Sequence, residues 1–459
     1  MTGQAGGLPP GRQADTAGSR DPVIDLVRFA CLALVVVGHT MMVSPVLHSD
    51  GTVTTQNTLA EQDWFEPVIW IFMVMPLFFV TGGITGLQSW RRLTAHGGTA
   101  ARFVRARLLR LVRPATALLA AMFLGLGTAL LLGVHPQVVE LMAAGAGMPL
   151  WFLAAYLAAQ LNIPFLAALH ARAPWLTFAG LTALVVAVDC LRGAFPALAN
   201  VNLLFLWCAV QQLGFLLADG HLSGLPRSGL AAVALAANAL LATVTGLGLY
   251  TGNMLVNLNP PNLCLLLLGI SQAALMECAR PVLRAASRLP WLGRMLQLAG
   301  ARSLTVYLWH LPLLVAMSGL LLLAPVPKPD SGTPEWWWAR AVVLPALLLL
   351  LVPVLAAFGR LEEPPVAALG PGGKPAAVAA AVVVVFLPVA DAALGGLTLA
   401  LLGTGAALFA LAQLILGAVP GWAAARRFRR SPLRSSRRSS SGRPDRPRRG
   451  RRGIATGVK

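Results

Sequence analysis

The chain consists of long apolar stretches separated by short polar segments. The stretches have the length that a helix needs to cross the hydrocarbon core of a bilayer, roughly 18–25 residues. Polar and apolar residues do not alternate within them, as they would in barrel strands, so strands are not predicted. The pattern predicts an all-α, polytopic transmembrane helical bundle. We predict twelve spans, at roughly 23–47, 64–88, 115–134, 150–169, 175–191, 200–218, 229–250, 261–279, 303–324, 338–358, 376–390 and 394–418.

The composition agrees with a membrane protein. Hydrophobic residues make up 57% of the 459 residues and charged residues only 12%, whereas a soluble domain is about 25% charged. The mean hydropathy is +0.71. Ala, Gly and Arg are abundant, as in GC-rich bacteria, so we expect a bacterial inner (plasma) membrane protein.

The formal net charge of +19 is a signal of topology and not of nucleic-acid binding. Fourteen of the 36 Lys and Arg residues follow Trp422, and most others lie in a few short loops. With a cytoplasmic N-terminus, the inner loops and tails contain 32 of the 36. The positive-inside rule therefore predicts that both termini are cytoplasmic.

Four regions follow from this pattern. We expect residues 1–22 to form a polar, disordered cytoplasmic N-terminus and residues 23–365 to form the main membrane domain. Residues 366–420 hold a Gly/Pro linker and an extra transmembrane hairpin. Residues 421–459 form a basic, Ser/Pro-rich tail that we expect to be disordered and to bind anionic membrane lipids.

Several kinds of site have no support in the sequence. The five cysteines form no CxxC or Cys/His cluster, so we predict neither a metal site nor a disulfide framework. Walker A, GxGxxG and GxSxG motifs are absent, which argues against an ATPase, a dinucleotide enzyme and a triad hydrolase. We predict no bound cofactor.

The first span carries three ionisable residues, Asp25, Arg28 and His39. Arg28 and His39 are eleven residues apart, about three helical turns and ~16 Å, so they share one face with Asp25. Ionisable groups at membrane depth face the bundle interior or an aqueous cavity, and they often have a function. The alternative is that Arg28 pairs with Asp25 near the inner interface and that His39 only forms a hydrogen bond within the bundle.

The ninth span repeats this arrangement in "SLTVYLWHLPLL". Ser303, Tyr307 and His310 are spaced by four and three residues, so they lie on one helical face, with His310 about two turns from the cytoplasmic end. A hydrogen bond between helices would explain His310 as well as a function does.

The second span contains "MPLFFVTGGITG", in which small residues follow each other. Glycines at these positions permit either the approach of a ligand or close packing of helices. We favour packing.

Five motifs, in this order, resemble the acyltransferase 3 family of integral membrane acyltransferases. They are Asp25-x-x-Arg28 followed by ten residues and His39, then "PLFFVTGG", "RFVRARLLRLVRP", "PLWFLAAYL" and "SLTVYLWHLPL". The resemblance covers about residues 22–365, a ten-helix unit, and leaves the final hairpin outside it. Thr81 stands where the family usually has Ser, and the Trp151 segment lacks a Glu that many members carry, with Tyr156 or Gln160 nearby.

The resemblance implies transfer of an acyl group, usually acetyl, from cytoplasmic acyl-CoA to a hydroxyl of a carbohydrate or lipid-linked acceptor. Arginines in the basic segment before the third span would meet the CoA phosphates, because guanidinium groups suit phosphate. They are Arg102, Arg105, Arg107, Arg110 and Arg113. Ordinary loop charge explains any one of them equally well.

The resemblance also suggests roles for the residues within the membrane. His39 would act as general base toward the acceptor hydroxyl. Arg28 would hold the CoA phosphates or the pantetheine, with Asp25 orienting Arg28. Tyr307 or His310 would polarise the thioester or position the acceptor.

Two other classes of protein share parts of this pattern. A transporter or flippase would also have twelve spans and a polar stripe, although it would more often show broken helices in two matching halves. A membrane scaffold would depend on its basic tail.

Overall fold

The computed structural model describes residues 21–48, 52–300, 302–325, 328–363 and 374–418. The predictions for the N-terminal segment, for most of the Gly/Pro linker and for the basic tail lie outside these residues. The first half of the chain forms α1 (Pro22–Met42), β1 (Val43–Leu47), β2 (Val53–Asn57), α2 (Phe65–Phe72), α3 (Met75–Ala95), α4 (Ala100–Leu131), α5 (Pro136–Leu161), α6 (Ile163–Arg172), α7 (Pro174–Leu191), a 3-10 turn (Pro196–Val201) and α8 (Asn202–Ala218).

The second half is also helical. It forms α9 (Arg227–Gly246), α10 (Leu263–Cys278), α11 (Arg280–Ser287), α12 (Pro290–Gly300), α13 (Ser303–Leu323), α14 (Pro334–Phe358), a 3-10 turn (Gly359–Glu362), α15 (Pro375–Gly395) and α16 (Leu399–Ile415). The all-α class is therefore confirmed.

Ten helical segments among the described residues are long and apolar enough to cross a membrane. The two remaining predicted spans correspond to shorter helices. The 16-residue α10 reaches the necessary length only together with α11, from which it is bent by 63°, and the apolar α16 has 17 residues. The protein is therefore an integral membrane protein with a polytopic helical bundle.

The first span is shorter than predicted. The helix ends at Met42, and Val43–Leu47 pairs in antiparallel register with Val53–Asn57. Pro45 has no backbone N–H to continue a helix, and the flanking Val residues favour an extended backbone. The prediction that residues 43–47 continue the helix, and that the chain has no strand, was therefore wrong at this hairpin.

The basic segment before the third span is not a loop. Helix α3 continues to Ala95, and α4 begins at Ala100, where the Thr99 hydroxyl accepts a hydrogen bond from the Arg102 N–H. Arg, Ala and Leu are strong helix formers, so the sequence between Ala100 and Pro114 continues the apolar helix without a break. The arginines consequently have fixed directions around one helix.

Helices α3 and α8 cross at two glycines. A Cβ atom on Gly214 would lie 2.1 Å from the Val80 carbonyl oxygen and 3.0 Å from the Gly83 Cα, and one on Gly83 would lie 2.2 Å from the Gln211 carbonyl oxygen. No side chain fits between these backbones. The predicted packing role of the "TGG" segment is therefore confirmed for Gly83.

Replacing Gly214 should separate these two helices. We expect Gly214→Ala to destabilise the protein by about 1–3 kcal/mol, because overpacking against a backbone cannot be relieved by a rotamer change. Thermal unfolding of the purified protein in detergent measures the effect. Gly180→Ala is the matched control, since a Cβ there has nothing within 4 Å. Equal melting temperatures for the two variants would contradict the close crossing.

The final hairpin packs along α4 and α5. The side-chain amide of Gln413 donates to the Thr116 hydroxyl at 2.7 Å, and Leu402 and Phe409 are buried in the same core as Leu119. The Arg105 guanidinium donates to the Leu416 carbonyl at 2.7 and 3.1 Å. These contacts make α15 and α16 part of the bundle wall beside α4.

Candidate functional site

Two histidines from opposite ends of the sequence meet inside the bundle. Nδ1 of His39 on α1 lies 2.8 Å from Nε2 of His310 on α13, and the rings stack with centroids 5.1 Å apart. His39 is ten residues further from the start of its helix than His310 is. The two helices are therefore offset by about 15 Å along their axes. The contact places the two residues at one depth in the bundle, because α1 begins beside α11 and α12 and not level with α13.

The hydrogen bonds of His310 define which nitrogen carries its proton. Its Nδ1 lies 2.6 Å from the Tyr307 carbonyl oxygen and 3.1 Å from the Val306 carbonyl oxygen. Carbonyl oxygens only accept, so Nδ1 carries the hydrogen and Nε2 of the neutral ring is an acceptor. Nδ1 of His39 must then donate to it, which leaves a lone pair on Nε2 of His39.

This Nε2 atom is the reactive group that the arrangement offers. His39 is partly buried, and its Nε2 forms no hydrogen bond with a described residue. This nitrogen is also not among the buried side-chain atoms that lack a hydrogen-bond partner, so it is accessible. His310 has no exposed surface at all. A bound substrate can therefore reach His39 but not His310, and the predicted direct role of His310 on the thioester or acceptor is corrected to one of holding His39.

Arg28 is held by residues other than the predicted one. Its guanidinium donates to the Thr85 hydroxyl at 3.2 Å, lies 5.0 Å from the centre of the Phe78 ring and is within hydrogen-bonding reach of the Tyr156 hydroxyl. Asp25 makes no ion pair with Arg28, although the structure describes both residues. The guanidinium points to α3 and α5, so the role of Asp25 in orienting it was predicted wrongly.

Aromatic rings join the Arg28 end of the site to the histidines. The ring of Phe78 lies 5.5 Å from that of Tyr156, Phe152 lies 4.9 Å from Tyr307, and Tyr307 lies 5.8 Å from His310. Phe152 also stacks on Tyr156 at 5.9 Å. Tyr156 therefore stands at the junction, at the place where the sequence departs from the family pattern.

The five arginines of α4 divide into different groups. Arg107 and Arg110 act electrostatically on the Tyr156 hydroxyl together with Arg28. Arg105 is buried against the Leu416 carbonyl. The Arg113 guanidinium donates to the Glu363 carbonyl at 2.5 Å.

The predicted contact with CoA phosphates is not supported for the buried Arg105, whereas for the partly exposed Arg113 it stays a prediction. Both guanidinium groups donate to backbone carbonyls of other elements, Arg105 to Leu416 and Arg113 to Glu363. For Arg102, in the first turn of α4, the prediction stays open.

Glu362 is a part of the site that the sequence did not reveal. Its buried carboxylate accepts hydrogen bonds from the Thr305 N–H at 2.6 Å, the Thr305 hydroxyl at 2.5 Å and the Leu304 N–H at 3.3 Å. It thus caps the start of α13, the helix that carries Tyr307 and His310, where a negative charge complements the helix dipole. No local sequence pattern predicts this contact, because Thr305 and Glu362 are 57 positions apart.

A second polar cluster contains the only group of three potential metal ligands found among the described residues. The ligand atoms of His170, Asp219 and His221 lie within 4.8 Å of one another. However, both oxygens of Asp219 bind the Arg91 guanidinium. Nδ1 of His170 accepts a hydrogen bond from the Gln212 amide at 2.6 Å. The contacts describe a hydrogen-bond network that ties α3, α6 and α8 together.

This network predicts a pH-dependent stability. Burial lowers the pKa of His170, which lies outside the predicted spans, below its ordinary value of about 6.5. His170 therefore binds a proton more readily in the unfolded chain than in the folded one. Its contribution to the free energy of unfolding is complete above about pH 6.5 and is lost as pH falls through the folded-state pKa. We expect the melting temperature to fall from pH 7.5 to pH 5.5, and less steeply in His170→Gln. His221→Gln, at an exposed site, is the control, and an equally steep fall in all three proteins would contradict the assignment.

The comparisons with known proteins agree with the class that the fold and site indicate. The family model described as an acyltransferase domain, of the acyltransferase 3 family, matches residues 21–358. The match covers well over half of the chain, which therefore belongs to this family, and the resemblance noted in the sequence is confirmed. Comparison with curated proteins and with solved structures finds no match. The protein is a membrane acyltransferase.

Proposed function

We propose that this protein transfers an acyl group, with acetyl as the favoured group, from acyl-CoA to a hydroxyl of a carbohydrate or lipid-linked acceptor. The observation that carries the proposal is the His39–His310 pair, which gives His39 a lone pair on Nε2 inside the bundle. Neutral imidazole suits general-base catalysis near pH 7. Acyl-CoA is a substrate in this scheme, so no bound cofactor is needed.

The proposed reaction balances with the groups present. The acceptor hydroxyl gives its proton to Nε2 of His39 while its oxygen forms a bond to the thioester carbonyl carbon. The carbon–sulfur bond then breaks, and the CoA thiolate takes the proton from His39. The Nδ1–H of His39 stays hydrogen-bonded to Nε2 of His310 throughout, so the His39 ring keeps its orientation.

The cations near Tyr156 support a site for the anionic donor. Arg28, Arg107 and Arg110 all act electrostatically on the Tyr156 hydroxyl, and Arg107 and Arg28 are close enough to repel each other. Such a concentration of positive charge beside aromatic rings is costly without an anion. In our proposal the donor enters at this end, and its acyl arm extends along α1 from Arg28 to His39, about 16 Å by the helical rise.

The remaining parts of the proposal concern location. We propose that both termini, and with them the arginines of α4, face the cytoplasm of a bacterium and that the protein lies in its inner membrane. The distribution of Lys and Arg supports this orientation. The acceptor would then meet the acyl group from within the membrane or from its outer side.

Donor binding tests the proposal. We expect the purified protein in detergent to bind a non-hydrolysable acetyl-CoA analogue saturably, and Arg28→Ala to weaken binding by about tenfold, since charge-assisted hydrogen bonds to Arg contribute about 1.5–3 kcal/mol. Arg172→Ala is the control, because Arg172 is an exposed arginine on α6. Absence of binding by the folded wild-type protein would favour a transporter instead.

A further inference from the structure

A cavity of about 380 Å³ lies away from the histidine pair, between the start of α9 and the helices α10 and α11. Four arginines line it, Arg227, Arg280, Arg284 and Arg288. Three of them are spaced by four residues along α11 and its C-terminal end, so they lie on one face of that helix. The cavity therefore concentrates positive charge from two separate elements of the fold.

Only one of these arginines is neutralised by acids in the described part of the chain. Arg280 binds Asp21, at the start of α1, and its NH1 atom lies 2.8 Å from a Glu277 carboxylate oxygen. Arg227, Arg284 and Arg288 form no ion pair and no side-chain hydrogen bond with described residues. Glu277, the one carboxylate in the cavity wall, is bound to Arg280, so three guanidinium groups line the cavity without an acidic partner among the described residues, which is the chemistry of a phosphate site.

Large apolar side chains are exposed next to these arginines. Val282 on α11 is 71% exposed and Trp291 on α12 is 60% exposed, and Leu289 between the two helices is also exposed. Helix α11 turns away from α10 by 63°. Apolar side chains beside arginines on a helix that leaves the bundle direction are typical of a segment lying in the interface of a membrane.

We propose that this arginine cavity binds the phosphate of an anionic phospholipid. The three unpaired arginines bind the headgroup phosphate, and Val282, Leu289 and Trp291 contact the adjoining acyl chains. A free nucleotide phosphate would use the arginines equally well but would have no acyl chains to contact these apolar side chains. Because Arg280 also binds Asp21, the lipid site is joined to the start of α1, the helix that carries Arg28 and His39.

Lipid binding by the full-length protein tests this assignment without any measurement of activity. The protein in detergent is titrated with phosphatidylglycerol or with phosphatidylcholine, and bound lipid is counted by native mass spectrometry. We expect saturable binding of phosphatidylglycerol. In Arg284→Gln/Arg288→Gln it should weaken about 30-fold, because one arginine at a membrane surface contributes about fivefold. Arg92→Gln/Arg172→Gln changes the net charge equally at exposed arginines elsewhere and should bind as the wild type does.

Three results would overturn the proposal. Equal binding of phosphatidylcholine would show that the phosphate site has no preference for an anionic lipid. Equal weakening in both double variants would show a general effect of charge. Displacement of the lipid by acetyl-CoA but not by its 3′-dephospho form would assign the cavity to the donor nucleotide. Since the readout is lipid binding, these results are independent of whether the protein transfers acetyl groups.

Discussion

Replacing His39 with alanine should reduce the rate of acyl transfer, measured as kcat, by about 1,000-fold, within the range that general-base catalysis contributes. The substitution removes the lone pair on Nε2 to which the acceptor proton would go, while the cations near Tyr156 remain. Binding of the acetyl-CoA analogue should therefore stay within about twofold of the wild type. Transfer of radiolabelled acetyl groups, together with analogue titration, separates the two effects.

His221→Ala is the matched control for this experiment. His221 is exposed and belongs to the network at the end of α8, so its loss should leave transfer unchanged. Full transfer activity in a folded His39→Ala protein would remove His39 from the mechanism. Loss of analogue binding together with activity would instead indicate that His39 maintains the donor site.

Replacing His310 with alanine should lower kcat by about 100-fold, although His310 has no surface that a substrate can touch. The substitution removes the acceptor for the Nδ1–H of His39, so the His39 ring is free to turn and to carry its proton on Nε2. A small misplacement of a catalytic group is sufficient for a loss of this size. The KM for the donor should change little, because Arg28 is not affected.

A conservative variant distinguishes this positioning role from simple packing. In His310→Gln the side-chain amide oxygen can accept from Nδ1 of His39, so we expect at least about tenfold more activity than in His310→Ala. Melting temperatures check the fold, because alanine leaves a cavity in the core. If His310→Gln and His310→Ala were equally inactive at equal stability, the hydrogen bond to His39 would not be the reason for the effect.

The two largest predictions rest on one geometric fact, the 2.8 Å contact between α1 and α13. The Glu362 carboxylate supports it by capping the start of α13. The Phe152 ring supports it by packing on Tyr307, which lies 5.8 Å from His310. The histidine pair is therefore held by two separate sets of contacts.

Much of this protein follows from its sequence alone. The long apolar stretches predict a helical membrane protein, since a backbone in lipid must satisfy its own hydrogen bonds. The ordered motifs around Arg28, His39 and His310 indicate the acyltransferase family. Helical spacing predicts that Ser303, Tyr307 and His310 share a face, because the α-helical period is fixed locally. The same local reasoning correctly assigns Gly83 to close packing.

The tertiary structure alone decides how these groups combine. Axial offsets between helices bring His39 to His310, and no local pattern contains such an offset. Directions around α4 send Arg105 to the last helix and leave Arg107 near Tyr156, although both lie in one basic segment. The choice of Thr85 and Tyr156 over Asp25 as partners of Arg28 likewise depends on which helices are neighbours. Sequence periodicity determines which side chains share a face of each helix, whereas packing against distant segments determines which of these side chains come into contact.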